Sequence, residues 1–331
     1  MTRKITINDV AAVAGVSRGA VTRALNDKAD INPETKKRVL EVSARLGYRP
    51  SRFARNFAAR TKTLAIGYVV ASFRNPYYTD LAADILQEAK RRGWQVVITA
   101  TDGVDEEEAL ELLSDQVDVI VGHIGLGPSR IKVAARGLPV VLLERVSETS
   151  GIHSLDLDWR AGIKTALEAL YARGAQHIGM LDSDYSLRTS SVYVPSQRRG
   201  YFEDFVRPAS RAAVVWGEES FAGGAHAFKT LLAEHPQTDA VLAFNDVMAI
   251  GAVQGANALG IDVPGRVRIL GVDGLSLGEA ISPKLSSLAI DRHAISIGAL
   301  DIVEELAKHQ FREVPSIHRR TEPRLVWRES A

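Results

Sequence analysis

The 331-residue chain contains no cysteine. That absence excludes a disulfide framework, a thiolate metal site and a thiol nucleophile. No apolar run approaches the ~20 residues a membrane helix needs. The opening MTRKITINDV lacks an apolar signal core. A soluble, cytoplasmic protein is therefore expected. The eight histidines are scattered, with no H-x-x-x-H or other metal-ligand spacing. Neither a Walker A loop nor a G-x-G-x-x-G is present. Gly122-His123-Ile124-Gly125-Leu126-Gly127 is rich in glycine but has the wrong spacing, and reads as a loop at a strand end. No enzyme chemistry assembles, and no cofactor or metal is expected.

Charge is scarce as a net quantity, +1 overall, but unevenly placed. Residues 1–62 hold 14 Lys and Arg against 5 Asp and Glu, leaving 27 against 35 for the rest. A basic head on an acidic body is the electrostatic footprint of a phosphate-backbone binder. Within that head, residues 5–26 read as two short amphipathic helices joined at Ala14-Gly15-Val16. This is a helix-turn-helix pattern, which lays its second helix in the DNA major groove. Thr6 is placed to cap a helix over 7–14, with Val10 and Val13 facing inward. Gly15 suits the left-handed position that ends it. Ser17 caps a helix over 18–26, with Val21 and Leu25 on the core side. Its outer face shows Arg18, Gly19, Thr22 and Arg23. Arginine reads guanine O6 and N7 bidentately, so Arg18 and Arg23 are base-contact candidates, with phosphate contact as the alternative role. Asn32-Pro33-Glu34 starts a third helix, a capping residue followed by proline at the first helical position, which runs to Leu46. Ser51 opens a short basic segment, too small to be stable alone, that is expected to fold when docked on DNA or a partner copy.

These residues resemble a known family. The run T-I-x-D-V-A-x-x-A-G-V-S-x-x-x-V-T-R-x-L-N from Thr6 to Asn26, followed by N-P-E-T-K-x-R-V and L-G-Y-R-P-S, is similar to the headpiece and hinge helix of the lactose/galactose repressor (LacI/GalR) family. The resemblance implies DNA contacts by Thr6, Ser17, Arg18, Gly19, Thr22, Arg23 and Asn26. It implies further contacts by the hinge residues Arg52, Ala54, Arg55 and Phe57. In that family a leucine from each subunit wedges open the central minor-groove step. The matching residue here is Phe57, and since phenylalanine is itself a groove wedge the kink is expected to persist. Gly15-Val16-Ser17-Arg18-Gly19 also fits the G-x-S-x-G nucleophile elbow. That elbow needs a preceding strand and a large sheet, whereas here a helix precedes it, so Ser17 reads as a cap rather than a nucleophile.

From residue 63 the pattern changes. Short apolar runs at 64–70, 96–101, 117–122, 140–143, 178–181, 214–216, 240–244 and 269–272 alternate with helical stretches such as 78–92, 162–173 and 223–234. This alternation predicts parallel sheets covered on both faces, in two α/β lobes, with ligands beyond the carboxyl ends of the strands. The resemblance extends over essentially the whole chain, to the closing Leu325-Val326-Trp327-Arg328, and implies a two-lobed core like that of periplasmic sugar-binding proteins. The expected division is a headpiece over 1–50, a hinge over 51–62 and an effector-binding core over 63–331. In that core 63–160 and 291–320 form the N-terminal lobe, and 161–290 and 321–331 the C-terminal lobe.

Carried over by position, Asn245 and Asp273 would hydrogen-bond ligand hydroxyls, Tyr77 and Tyr78 would lie beside the ligand, and Asp158 would stand in the crossover motif near it. Asp246 reads as a helix cap. Where the family places a pocket arginine, this chain has Gln197, so either Gln197 makes the contact or Arg198 takes over. Arg292, near the return crossover, would favour an acidic or phosphorylated sugar. The partners implied are operator DNA, a small effector (a sugar, sugar acid or sugar phosphate) and a second copy of the chain. No tetramerising heptad helix follows the core, so a dimer is expected. The function expected is that of a ligand-responsive repressor on a palindromic operator. A transport solute-binding module is the alternative class, and the basic head argues against it.

Arg18→Ala should relax specificity at one base pair and cost about 1–3 kcal/mol there, read by binding titrations on a set of single-base operator variants. Equal losses on every variant would assign Arg18 to phosphate instead.

Overall fold

The computed structural model describes residues 7–25, 31–46, 64–102, 104–184 and 193–331. The head contains three helices, Ile7–Ala14, Arg18–Leu25 and Pro33–Leu46. Gly15 takes the left-handed conformation, φ +65°, that turns the chain between the first two. Ser17 Oγ accepts from the Ala20 amide at 3.2 Å, and Asn32 Oδ1 accepts from Glu34 at 2.8 Å, so each start has its cap. Val10, Ala11, Ala14, Val21, Ala24, Val39 and Val42 form the core of this unit. Val13 differs from the sequence reading: it is 50% exposed. On a 100°-per-residue wheel Val10, Ala11 and Ala14 share one face, and Val13 falls outside it.

Two six-stranded sheets make up the remainder. The first runs β11-β5-β4-β3-β1-β2, with β1 Ala65–Val70, β2 Gln95–Ala100, β3 Val119–Gly122, β4 Val140–Leu143, β5 Ile152–Leu157 and β11 His318–Thr321. The second runs β12-β10-β9-β8-β6-β7, with β6 Ile178–Ser183, β7 Val214–Gly217, β8 Ala240–Ala243, β9 Arg268–Asp273, β10 Ser286–Ala289 and β12 Arg324–Val326. Every pairing is parallel except β10 with β12. The chain passes between the sheets after Leu157, after Ala289 and between Thr321 and Arg324. β1, β3, β4, β6 and β8 are buried along their whole length, as strands covered on both faces are; all are apolar except the end of β6, Asp182-Ser183. One apolar cluster, from Tyr68 and Val121 to Met180, Phe202 and Leu288, runs through both lobes.

In the second lobe the helices Phe221–Glu234 and Asp246–Ala258 approach so closely that only glycine fits at the contact. A Cβ at Gly224 would lie 2.2 Å from the Met248 carbonyl oxygen, and one at Gly251 would lie 2.1 Å from that of Phe221. Gly224→Ala should therefore cost about 1–3 kcal/mol as the helices separate. Urea denaturation reads this as a lower midpoint, and an unchanged midpoint would show that the pair slides apart freely.

Candidate functional site

The carboxyl ends of the strands in both sheets converge on one interlobe cavity of about 410 Å³. From the first lobe it is lined by Ala71, Tyr78, Glu106, His123, Ile124, Gly125, Leu143 and Glu144; from the second by Ser183, Val194, Pro195, Ser196, Glu219 and Phe244. His123 follows β3, Glu144 follows β4, and Phe244 follows β8. Asn75 ties the lobes together. Its Oδ1 caps the helix Pro76–Arg91 by accepting from the Tyr77 amide at 3.0 Å, while its Nδ2 donates to Asp273 Oδ2 across the cleft at 3.1 Å.

The carboxyl groups of the cleft are held in different states. Burial pushes Asp273 well above the ordinary carboxylate range; Arg198 opposes this and the neighbouring Asp246 adds to it. Asp246 is likewise pushed up to about 6 by burial, against hydrogen bonds from Ser287, Leu275 and Gly274. Burial also acts to raise Glu144, but it is outweighed by the hydrogen bond and charge of His123, with Arg198 and the Tyr77 hydroxyl assisting, so Glu144 lies below its usual value. His123 Nε2 stands 3.1 Å from Glu144 Oε1, and the Tyr77 hydroxyl donates to the same oxygen. Glu144 takes φ +59°, a left-handed conformation that a residue without a special role rarely adopts.

The residues singled out in the sequence fall in several places. Tyr78 borders the cavity, whereas Tyr77 is buried behind it against Glu144. Asn245 is buried; it caps the helix Asp246–Ala258 through the Met248 amide at 2.9 Å and donates to Glu219 Oε2 at 3.0 Å. The cap is thus Asn245, not Asp246. Asp246 instead accepts from the Leu275 amide at 2.6 Å and the Ser287 hydroxyl at 2.7 Å, fixing the turn after β9. Asp273 is buried at the end of β9 with φ +116°. Arg198 donates to the Phe244 carbonyl, its guanidinium 3.9 Å from the Trp159 ring centre and 4.5 Å from that of Phe244. Gln197 bonds the Tyr201 hydroxyl at 2.9 Å and, with Asp158, borders a separate cavity that also includes Arg320. Asp158 caps the helix Trp159–Ala172 through Ala161 at 2.9 Å. Arg292 lies 3.4 Å from Asp80 and 3.5 Å from Asp84 and does not border the interlobe cavity. Glu144, His123 and Glu219 were not singled out as site residues. Their signal was their position: each of the first two directly follows an apolar strand.

On the head, Arg18, Gly19 and Arg23 are exposed on the second helix, and the Thr22 hydroxyl donates to the Arg18 carbonyl at 3.1 Å. An added Cβ at Gly19 would stand 3.6 Å from Arg23 Nη1, an ordinary contact, so the position has room for a small side chain. Thr6, Asn26, Arg52, Ala54, Arg55 and Phe57 lie outside the described residues.

Residues 6–51 match the family model of bacterial regulatory proteins of the lacI family, and residues 63–315 match that of periplasmic binding proteins and the sugar-binding domain of the LacI family. The chain belongs to the LacI family. It is a DNA-binding transcriptional regulator and not an enzyme. It is similar to catabolite control protein A of Staphylococcus xylosus, 28% identical over 318 residues that cover 95% of both chains. A LacI-family regulator from Arthrobacter sp. FB24, solved in complex with lactose, is 27% identical with a TM-score of 0.68, over 80% of this chain and 98% of that one. The Lac repressor dimer bound to operator and the anti-inducer ONPF shares the fold at 23% identity, with a TM-score of 0.70 and 99% of each chain covered.

The raised carboxyls give this LacI-family core a pH signature. A carboxyl whose folded pKa exceeds its unfolded value of about 4 is stabilising below that value, and the contribution is lost as pH rises through the folded one. For Asp246 this loss begins near pH 4 and proceeds through about 6, and Asp273, also raised by burial, adds a loss of the same sign. Asp273→Asn should flatten that fall, measured by denaturant unfolding at pH 5 and pH 8. A slope identical to that of the unmutated chain would show that Asp273 is ionised as readily folded as unfolded.

Proposed function

We propose that this regulator is a repressor that binds a palindromic operator as a dimer and responds to a sugar or sugar derivative in the interlobe cavity. The observation that carries this reading is the cavity itself, enclosed by the strand ends of both sheets and bridged by Asn75 and Asp273. A ligand there touches both lobes, so it has different contacts in each arrangement of the lobes. Differential contact is what a ligand needs to shift a conformational equilibrium. Tyr78 and Phe244 offer ring faces to apolar sugar faces, and the cleft carboxyls match vicinal hydroxyls. The lactose complex of the Arthrobacter relative supports a sugar as the ligand class.

In this reading residues 1–50 contact the operator through Ser17, Arg18, Gly19, Thr22 and Arg23. Residues 51–62 form the hinge, and 63–331 the effector-binding core. A single headpiece reads a half-site, so specific binding requires two copies. The protein acts in the cytoplasm, with its DNA. Of the effector contacts, Asp273, Asn245, Tyr78 and Arg198 are those nearest the cavity's own residues. Glu144, His123 and Glu219 join them.

The test is selection of binding sites from a random DNA library by the full chain, followed by titration of the selected site with and without sugars. A palindrome is expected, bound far more tightly than its half-site, with affinity moved roughly 5–150-fold by the effector. Equal affinity for half-site and palindrome would sink the dimer reading.

A further inference from the structure

The cavity's charge limits what it can hold. Among the described residues that line it, three are acidic (Glu106, Glu144 and Glu219) and none is lysine or arginine. Two arginines lie nearby and both are engaged: Arg198 by the Phe244 carbonyl and the Trp159 and Phe244 rings, and Arg145 by the Ile124 and Leu126 carbonyls. Arg292, which the sequence suggested for an acidic ligand, faces Asp80 and Asp84.

The two central carboxylates lack a fixed cation among their hydrogen-bond donors. Glu144 is held by the Tyr77 phenol and the His123 imidazole. Glu219 accepts from the Ser183 hydroxyl at 2.7 Å and the Asn245 amide at 3.0 Å. They come from opposite lobes, yet both act on one side chain. Both line one cavity with Tyr78, whose phenol is pushed well above its ordinary value by burial first and then by the charges of Glu144 and Glu219, with Arg198 opposing. Negative charge in a partly desolvated cleft is costly unless a cation pairs with it. Aromatic faces add to the attraction for such a cation.

We propose that the effector carries a protonated amine, seated between Glu144 and Glu219 beside Tyr78, and that the cleft rejects acidic and phosphorylated ligands. This rests on the interlobe cavity being the effector site. An amino sugar satisfies both readings: its hydroxyls meet the polar groups of the cleft and its ammonium sits between the carboxylates that the two lobes contribute. An anionic counterpart would meet like charge on each side, which is the repulsive element that specificity requires.

The experiment is a binding series on the full chain by calorimetry and thermal shift. Hexosamines, parent hexoses, hexuronates and hexose phosphates of the gluco, galacto and manno series are compared. Each is run on the unmutated chain, on Glu219→Gln and on Glu144→Gln, so that either variant serves if the other fails to fold. The expected result is an amine bound at least about tenfold more tightly than its uronate and phosphate counterparts, one factor of ten being 1.4 kcal/mol. That preference should disappear in the glutamine variants. A uronate or phosphate bound as tightly as the amine overturns the inference. If no sugar binds, the sugar reading fails, and ethanolamine against glycolate decides the charge inference separately. Ethanolamine should then raise the melting temperature of the unmutated chain more than that of Glu219→Gln. Equal shifts, or a larger shift with glycolate, overturn it.

Discussion

The bond from the Asn75 amide to the buried carboxyl of Asp273 is the contact on which the cleft depends. Each partner is fixed from its own side. Asn75 cannot turn away without uncapping the helix Pro76–Arg91, and Asp273 stands in a left-handed conformation at the end of β9. The turn beyond it is pinned by Asp246, which accepts from Leu275 and Ser287, and by the bond from the Gly274 amide to the Ser287 hydroxyl. A strained residue persists only where its surroundings over-determine it. Here the surroundings are a second buried acid and a helix cap. The acid pair is tolerable because burial favours the protonated form of Asp273, so the interior does not have to hold two full negative charges side by side.

The same economy of fixed charge separates the two ends of the chain. Cations gather in the head, where the exposed Arg18 and Arg23 lie on the face of a small helical unit. Acids gather in the body, and several of its arginines are neutralised locally. Arg92 binds Glu88, Asp301 and Glu304, and Arg319 binds Asp301. The DNA-directed field is thereby confined to the head, and the core presents little to compete for phosphate.

Local chemistry was the part of this architecture most legible in the sequence. Gly15, Ser17 and Asn32 announced their turn and caps because each acts on backbone groups within a few residues. Branched apolar runs announced β1, β3, β4, β8 and the first part of β6 because strands buried on both faces are mostly apolar. β5, β10 and β11 were not legible. Ile-His-Ser-Leu-Asp-Leu carries polar residues whose partners lie far along the chain: the His153 ring accepts from the Ile317 amide, and Asp156 accepts from Arg320. β11, His-Arg-Arg-Thr, is an edge strand whose side chains are mostly in water. Site residues failed in the same manner. Asn245 and Asp246 are adjacent acceptors at one helix start, and only the tertiary contacts of Asp246 with Leu275 and Ser287 decide which one caps. Gln197 and Arg198 are adjacent on one helix, about 100° apart, so the helix's rotation against Trp159 and Phe244 decides which faces the cleft.

The connection between the lobes also sets how they can move. Three chain crossings join the sheets, and a shared apolar cluster lies beneath them. Among the described residues, the side-chain hydrogen bond that crosses the cleft is the one from Asn75 to Asp273. Apolar packing resists sliding because many contacts must be lost together, whereas one hydrogen bond exchanged for another with a ligand costs little net free energy. Under the proposed function, a ligand that reached Asp273 would substitute for Asn75 on the carboxyl and free the helix that Asn75 caps from the opposite lobe. That helix lies in the same lobe as β1, the strand by which the chain enters the core from the head. On that proposal, occupancy of the cleft and the set of the first lobe would be two descriptions of one exchange of hydrogen-bond partners, and a coupling of a few kcal/mol between them would need no contact beyond those at the strand ends.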